Sequence, residues 1–193
     1  MEHKEHDRLA EKRIIEDVEK FGWHVGLFEP TENEPSFAYT IGLWKTYGHP
    51  EIISFGLTTK TLHEILNNAG EIVKQGNILT TDQDNLDIFE TVPAQFITVD
   101  KNRFSDYFGY CMWFNDYKDF PALQLVWTDR QGRFPWQPEF EREFDDRQII
   151  LNSYYEEEIK KSQQLTKPIN KRADRANRND NTFNKLWSRL TGK

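Results

Sequence analysis

Two residues that could do acid–base chemistry, His49 and Glu51, lie two positions apart in the stretch FAYTIGLWKTYGHPEIISFGL, residues 37–57. An imidazole titrates near neutral pH, so His49 could act as a general base. Alternate side chains of an extended chain share a face, so Glu51 could orient His49 or share a ligand with it. We favour a structural alternative, in which His49 bonds a backbone carbonyl in a turn and Glu51 pairs with a Lys or Arg.

The other candidate binding residues are polar or aromatic side chains close to turn-forming Gly and Pro. In the segment FPWQP, residues 134–138, two prolines hold a Trp in an extended chain, and we favour packing of its ring over display. We predict that the loops 44–50 and 129–136 lie together and border the main pocket, because both are aromatic and shaped by Gly or Pro. These further candidates are Tyr39, Thr40, Trp44, Asp129 and Trp136.

Metal and nucleophile chemistry have weaker support. His24 and His49 with a carboxylate could form a two-His, one-carboxylate site, but no HxH or HxxxH spacing supports it, so we predict no metal. The sequence contains no GxGxxG, Walker, GxSxG or HExxH motif. The single cysteine, Cys111, excludes an intramolecular disulfide and is interpreted as a small buried residue rather than a catalytic thiol. Catalytic residues and cofactors therefore stay unassigned.

The elements that must position these residues are short strands and two longer helices. Strands are predicted at 23–28, 37–43, 51–57, 91–99 and 122–127, because these runs are apolar, β-branched or aromatic and too short for helices. Apolar spacing predicts packed helices at 58–75 and 104–114 and a charged helix at 7–20 that ends at Gly22. The fold class is α+β, with a curved, mainly antiparallel sheet that could form a partly closed barrel.

Charge divides the chain into an acidic body and a basic tail. Net charge is −7, but residues 160–193 carry ten Lys/Arg and two Asp, a local charge of +8, which leaves −15 on the rest. We therefore predict three parts: an N-terminal helix at 1–20, a domain at 21–158 and a tail at 159–193. Nucleic acid is disfavoured for the body and conceivable only weakly through the tail. The tail ends in a predicted short amphipathic helix formed by Phe183, Leu186, Trp187 and Leu190.

Partners follow from the opposite charges of tail and body, which favour self-docking, a homo-oligomer or a protein partner. The sequence has no apolar stretch long enough to span a membrane and no signal-peptide core near Met1. With a single cysteine, this predicts a soluble cytoplasmic protein.

The motifs GWHV, YTIGL, GHPE and VWTDRQGRFPW resemble, in order and spacing, the DUF4262 family of bacterial proteins of unknown function. The resemblance covers residues 21–138, and this chain has Thr128 where the family pattern often has Pro. It implies membership and no activity. We predict a non-enzymatic binding or regulatory module with an aromatic-lined pocket or surface. The alternative is an enzyme that binds a small molecule or cofactor at a His/carboxylate site, since the sheet is similar in outline to flavin-binding split barrels.

Overall fold

A five-stranded mixed sheet forms the centre of the protein, which is described by a computed structural model over residues 2–81, 83–89 and 92–165. The order is β1-β2-β3-β5-β4, with β3 and β5 parallel and the other three pairings antiparallel. The mainly antiparallel α+β prediction is confirmed. The partly closed barrel is wrong, because β1 and β4 are the two edges of an open sheet. The strands are β1 His24–Phe28, β2 Phe37–Ile41, β3 Glu51–Phe55, β4 Ala94–Thr98 and β5 Ala122–Trp127.

The helices largely match the predicted pattern. The strongest prediction, at 58–75, is confirmed, and Thr58 caps this helix by accepting a bond from the Thr61 amide (3.2 Å). The helix predicted at 104–114 is interrupted at Phe108, and the loop predicted between β2 and β3 contains a short helix. The amphipathic helix predicted in the tail lies outside the described residues. The helices are α1 Glu2–Phe21, α2 Leu43–Tyr47, α3 Thr59–Lys74, α4 Phe104–Tyr107, α5 Gly109–Phe114 and α6 Ser153–Leu165, with short 3₁₀ turns at Lys101–Arg103 and Arg142–Phe144.

One face of the sheet is covered by α3. Leu62 and Leu66 of this helix are fully buried with Trp127 of β5. Gly70 allows a close approach, because a Cβ at this position would lie 2.4 Å from the ring of Trp23. The Trp23 Nε1–H also donates to Asn67 of α3 (3.1 Å). A glycine that costs helix stability thus permits an aromatic ring to pack against the helix backbone.

The other face is covered by α1, α4, α5 and α6. Cys111 of α5 is buried beside Tyr39 and Phe108, as expected for a small apolar residue. Trp136 stacks on Phe134, with ring centres 5.2 Å apart, and α6 packs against this pair. The contacts agree with the packing interpretation of the FPWQP segment. The sheet is therefore enclosed on both faces, and β1 remains as an edge beside α1 and α3.

Candidate functional site

The buried carboxyl group of Glu51 caps helix α2. Its Oε1 accepts bonds from the backbone amides of Gly42 (2.8 Å) and Trp44 (3.2 Å). Its Oε2 accepts from the Thr40 hydroxyl (2.7 Å) and the Leu43 amide (3.3 Å). These contacts satisfy amides that a helix N-terminus leaves without partners, and they join the end of β2 to the start of β3. The prediction that Glu51 pairs with a Lys or Arg is therefore wrong.

Burial decides the acidity of this carboxyl group. Loss of water contact raises the pKa of Glu51 to about 7, and the four hydrogen bonds limit the rise. Amide and hydroxyl donors therefore stabilise this group. The acid whose pKa lies near neutral pH is thus enclosed in a helix cap.

His49 has its own set of backbone partners. Its Nδ1 bonds the Pro50 carbonyl oxygen (2.8 Å), and its Nε2 accepts from the Leu79 amide (3.2 Å). Burial lowers the pKa of His49, so the imidazole is neutral at pH 7. The alternative in which His49 bonds a backbone carbonyl is confirmed, and both ring nitrogens are engaged in holding the segment before β3 against Leu79.

Asp129 organises the turn after β5. Its Oδ1 accepts from the Gln131 (2.8 Å) and Arg133 (2.9 Å) amides. Its Oδ2 accepts from the Arg133 Nε (2.8 Å) and from the Glu141 amide (3.0 Å). The neighbouring Thr128 is buried, and within the described part of the chain its Oγ1 has no hydrogen-bond partner. Asp129 thus joins both ends of the segment 129–141.

The two loops predicted to share a pocket lie at opposite ends of the sheet. Glu51 pairs with Ala122 at the start of the parallel strands β3 and β5. The segment 44–50 leads into that end, whereas 129–136 follows the far end of β5. The predicted joint pocket is therefore wrong. The two segments could meet only if β3 and β5 were antiparallel. The long connection between these strands allows them to pair in parallel instead.

The remaining candidates also differ in their accessibility. Tyr39 is buried, and its hydroxyl accepts a long bond from the Tyr110 amide (3.4 Å). Trp44 is partly exposed at the start of α2, and Trp136 is half-buried in its ring stack. Ligand binding by any of the seven candidates stays a prediction.

A groove of about 990 Å³ runs along the free edge of β1, between α1 and α3. Three apolar side chains in its wall are strongly exposed: Leu9 (65 %), Phe21 (45 %) and Leu27 (44 %). The outer edge of β4 is bridged at Thr81 and Asn85, but within the described ranges no bridge covers the edge of β1. We name this feature, bounded by α1, β1 and α3, the edge groove.

A His–Asp pair lies inside the edge groove. The Nδ1 of His24 is 2.7 Å from the Oδ2 of Asp17. With Asp17 as the acceptor, Nδ1 carries the proton and Nε2 is an acceptor, and no described residue bonds to it. Burial lowers the pKa of His24, and Asp17 partly opposes that effect. The Nε2 of His24 is thus a basic nitrogen on a neutral ring whose orientation Asp17 fixes. The pairing of His24 with Asp17 was not predicted from the sequence.

A second polar contact lines the α3 side of the edge groove. The Nδ2 of Asn67 lies 3.1 Å from the Nε2 of His63. Asn67 also accepts the Trp23 bond, so the ring of Trp23 is fixed at the groove floor. Among the residues that the structure describes, no group of three or more His, Cys, Asp or Glu could hold a metal ion. His24 instead uses its carboxylate contact for orientation.

Residues 17–141 match the family described as Domain of unknown function (DUF4262), and this chain belongs to that family. The matched region begins at Asp17, includes the Glu51 cap, and ends at Glu141, whose amide bonds Asp129. No match was found among curated proteins or among solved structures. No helix in the described ranges is both long and apolar enough to cross a membrane.

Proposed function

We propose that this protein is a non-enzymatic binding or regulatory module and that the edge groove is its recognition surface. The observation that carries this proposal is the cluster of exposed Leu9, Phe21 and Leu27 around an open strand edge. Apolar surface gathered in a concave site favours a protein partner, because burying it removes that surface from water. The partner class is a polypeptide segment with apolar anchors.

The composition of β1 supports the same function. Edge strands are commonly protected by Pro, Lys or an inward charge, and HVGLF contains none of these. Every second residue of an edge strand turns its N–H and C=O away from the sheet. The groove floor therefore offers backbone hydrogen bonds, and its walls offer apolar contacts.

Leu27→Arg is expected to weaken binding of a groove-directed peptide at least tenfold, because it places a charge on the apolar wall. The probe is a peptide selected from a displayed random library against the immobilised full chain. Fluorescence anisotropy gives the Kd for wild type and variant. Leu27 is 44 % exposed, so the substitution leaves the core unchanged.

Ile78→Arg is the matched control, because Ile78 is also apolar and is 75 % exposed outside the edge groove. This variant is expected to bind like the wild type. Selected peptides that lose affinity equally for both variants, or only for Ile78→Arg, would contradict recognition by the edge groove.

The His24–Asp17 pair supports a second candidate function, a small-molecule site. A neutral imidazole held by a carboxylate can accept a proton or a hydrogen bond from a ligand through Nε2. Phe21, which is 45 % exposed, adds aromatic surface in the same groove. We propose this site for a ligand that presents an O–H or N–H group against an aromatic face.

Asp17→Asn is expected to lower the pKa of His24 further, because Asp17 raises it through a hydrogen bond and charge attraction. NMR titration of the His24 ring resonances measures the change. The control is Glu16→Gln, one residue away, whose side chain is 62 % exposed and faces Lys12 (3.6 Å). An unchanged or higher pKa in Asp17→Asn would contradict the dyad.

A further inference from the structure

We infer that residues 183–190 of this chain's own basic tail occupy the edge groove and compete there with an external partner. The inference rests on the proposed function, since it takes the edge groove as a recognition surface. It identifies one occupant of that surface and gives the binding module a built-in regulator.

The apolar residues of the tail have the spacing of a helix that could fill the edge groove. Phe183, Leu186, Trp187 and Leu190 recur at the intervals of one helical stripe. Such a stripe is about 10 Å long, and the five-residue edge of β1 is about 16 Å long. A short helix with anchors at these intervals matches the manner in which amphipathic segments bind apolar grooves.

The tail and the rest of the chain carry opposite charges. Residues 166–193 carry eight Lys/Arg and two Asp, a net charge of +6, and residues 1–165 carry a net charge of −13. In the edge groove, Asp17 and Glu71 present carboxylates, and Glu71 lies 3.6 Å from the Nζ of Lys74. Arg13 also lines the groove, but its guanidinium lies 3.9 Å from Asp17. Lys185 and Arg189 border the apolar stripe and complement the carboxylates.

The tail follows α6, which ends within reach of the edge groove. The Ser162 hydroxyl donates to the Gln137 carbonyl (3.1 Å), which places the end of α6 beside the segment that follows β5. Because β1 runs in the same direction as β3 and β5, Phe28 lies at this same end of the sheet. Three strand spacings, about 14 Å, separate β5 from β1.

The connection is long enough for this path. Residues 166–182 can span up to about 60 Å when extended. A tethered segment has a high effective concentration at a site within its reach, so the tail has an advantage over a separate chain of equal affinity. An external partner must therefore displace the tail before it can bind the edge groove.

A nitroxide label on Ser188→Cys in the full chain tests the inference, because Ser188 lies off the apolar stripe and Cys111 is buried from the reagent. Amide signals of β1 and of Phe21 are expected to lose the most intensity, and those of β4, at the opposite edge of the sheet, the least. Leu27→Arg in the same labelled chain is expected to restore the lost signals. Loss of signal centred on another face, or no loss, would overturn the inference.

A mixture of ¹⁵N-labelled chain and spin-labelled ¹⁴N chain separates the intramolecular contact from a dimer. Intensity loss that persists in the mixture would assign the contact to a second copy and contradict self-docking. If selected peptides bind the edge groove while the tail label has no effect there, self-docking fails and the proposed function stands. If the tail label reduces the signals of β1 but Leu27→Arg weakens the binding of no selected peptide, self-docking stands and the proposed recognition of partners fails.

Discussion

Glu51→Ala is expected to reduce the free energy of unfolding by about 3 kcal/mol, the largest effect we expect from a polar residue in this protein. The substitution leaves the amides of Gly42, Leu43 and Trp44 and the Thr40 hydroxyl without their common acceptor. Because these donors are largely buried, water can replace the lost hydrogen bonds only if the surrounding structure opens. Urea denaturation at pH 7 measures the change in midpoint.

Glu64→Ala is the matched control for this substitution. Glu64 lies on α3 with its side chain 62 % exposed and 3.9 Å from Lys60, so its loss is expected to cost less than about 0.5 kcal/mol. Equal stability losses in the two variants would show that the Glu51 cap adds nothing beyond an exposed carboxylate.

Glu51→Gln gives the cap a pH signature. The pKa of Glu51 is raised from an ordinary 4.5 to about 7, so between these values the folded state holds its proton more tightly than the unfolded state. The contribution of the group to stability is complete below pH 4.5 and decreases as the pH rises to about 7. The stability advantage of wild type over Glu51→Gln should therefore shrink over this interval. A constant difference would contradict the raised pKa.

Gly56→Ala is expected to destabilise the protein by about 3 kcal/mol, because two costs combine at one position. The backbone φ of Gly56 is +78°, a region that favours glycine. A Cβ there would also lie 2.1 Å from the carbonyl oxygen of Arg147. The backbone of β3 or of the segment 142–147 must move to relieve this contact. Thermal and urea unfolding of the variant measure the loss.

Gly48→Ala separates the two costs. Its φ is +67°, but a Cβ at Gly48 would meet no atom within 4 Å. The expected loss is about 1 kcal/mol, the cost of the backbone conformation alone. Equal stability losses in Gly48→Ala and Gly56→Ala would show that the close approach of Arg147 to Gly56 has no energetic consequence.

Local patterns were sufficient for several elements. The stripe of apolar residues in α3, its Thr58 cap and the stop at Gly22 depend on residues within a few positions of one another. The pairing of β2 with β3 also follows from two neighbouring apolar runs and a turn. The same local order carried the resemblance to the DUF4262 family, to which the chain belongs. Short-range periodicity determines these features, so the sequence alone is enough.

The pairing of distant strands was decided only by the tertiary structure. Both directions of β5 beside β3 satisfy the same apolar pattern, because each strand is buried on both faces. The direction, in turn, decided whether the segments 44–50 and 129–136 would meet. The periodicity of the sequence identifies strands, but it does not indicate whether two strands run parallel or antiparallel.

By itself, the sequence determined the α+β class, the principal strands and helix α3, and the charge contrast between body and tail. The tertiary structure decided that Glu51 caps a helix, that His24 meets Asp17, and that α1 and α3 leave the edge of β1 open. The physical reason is that hydrophobic spacing and turn chemistry act over a few residues. The partners of polar side chains and the positions of grooves depend on how distant segments pack together, which only the whole fold determines.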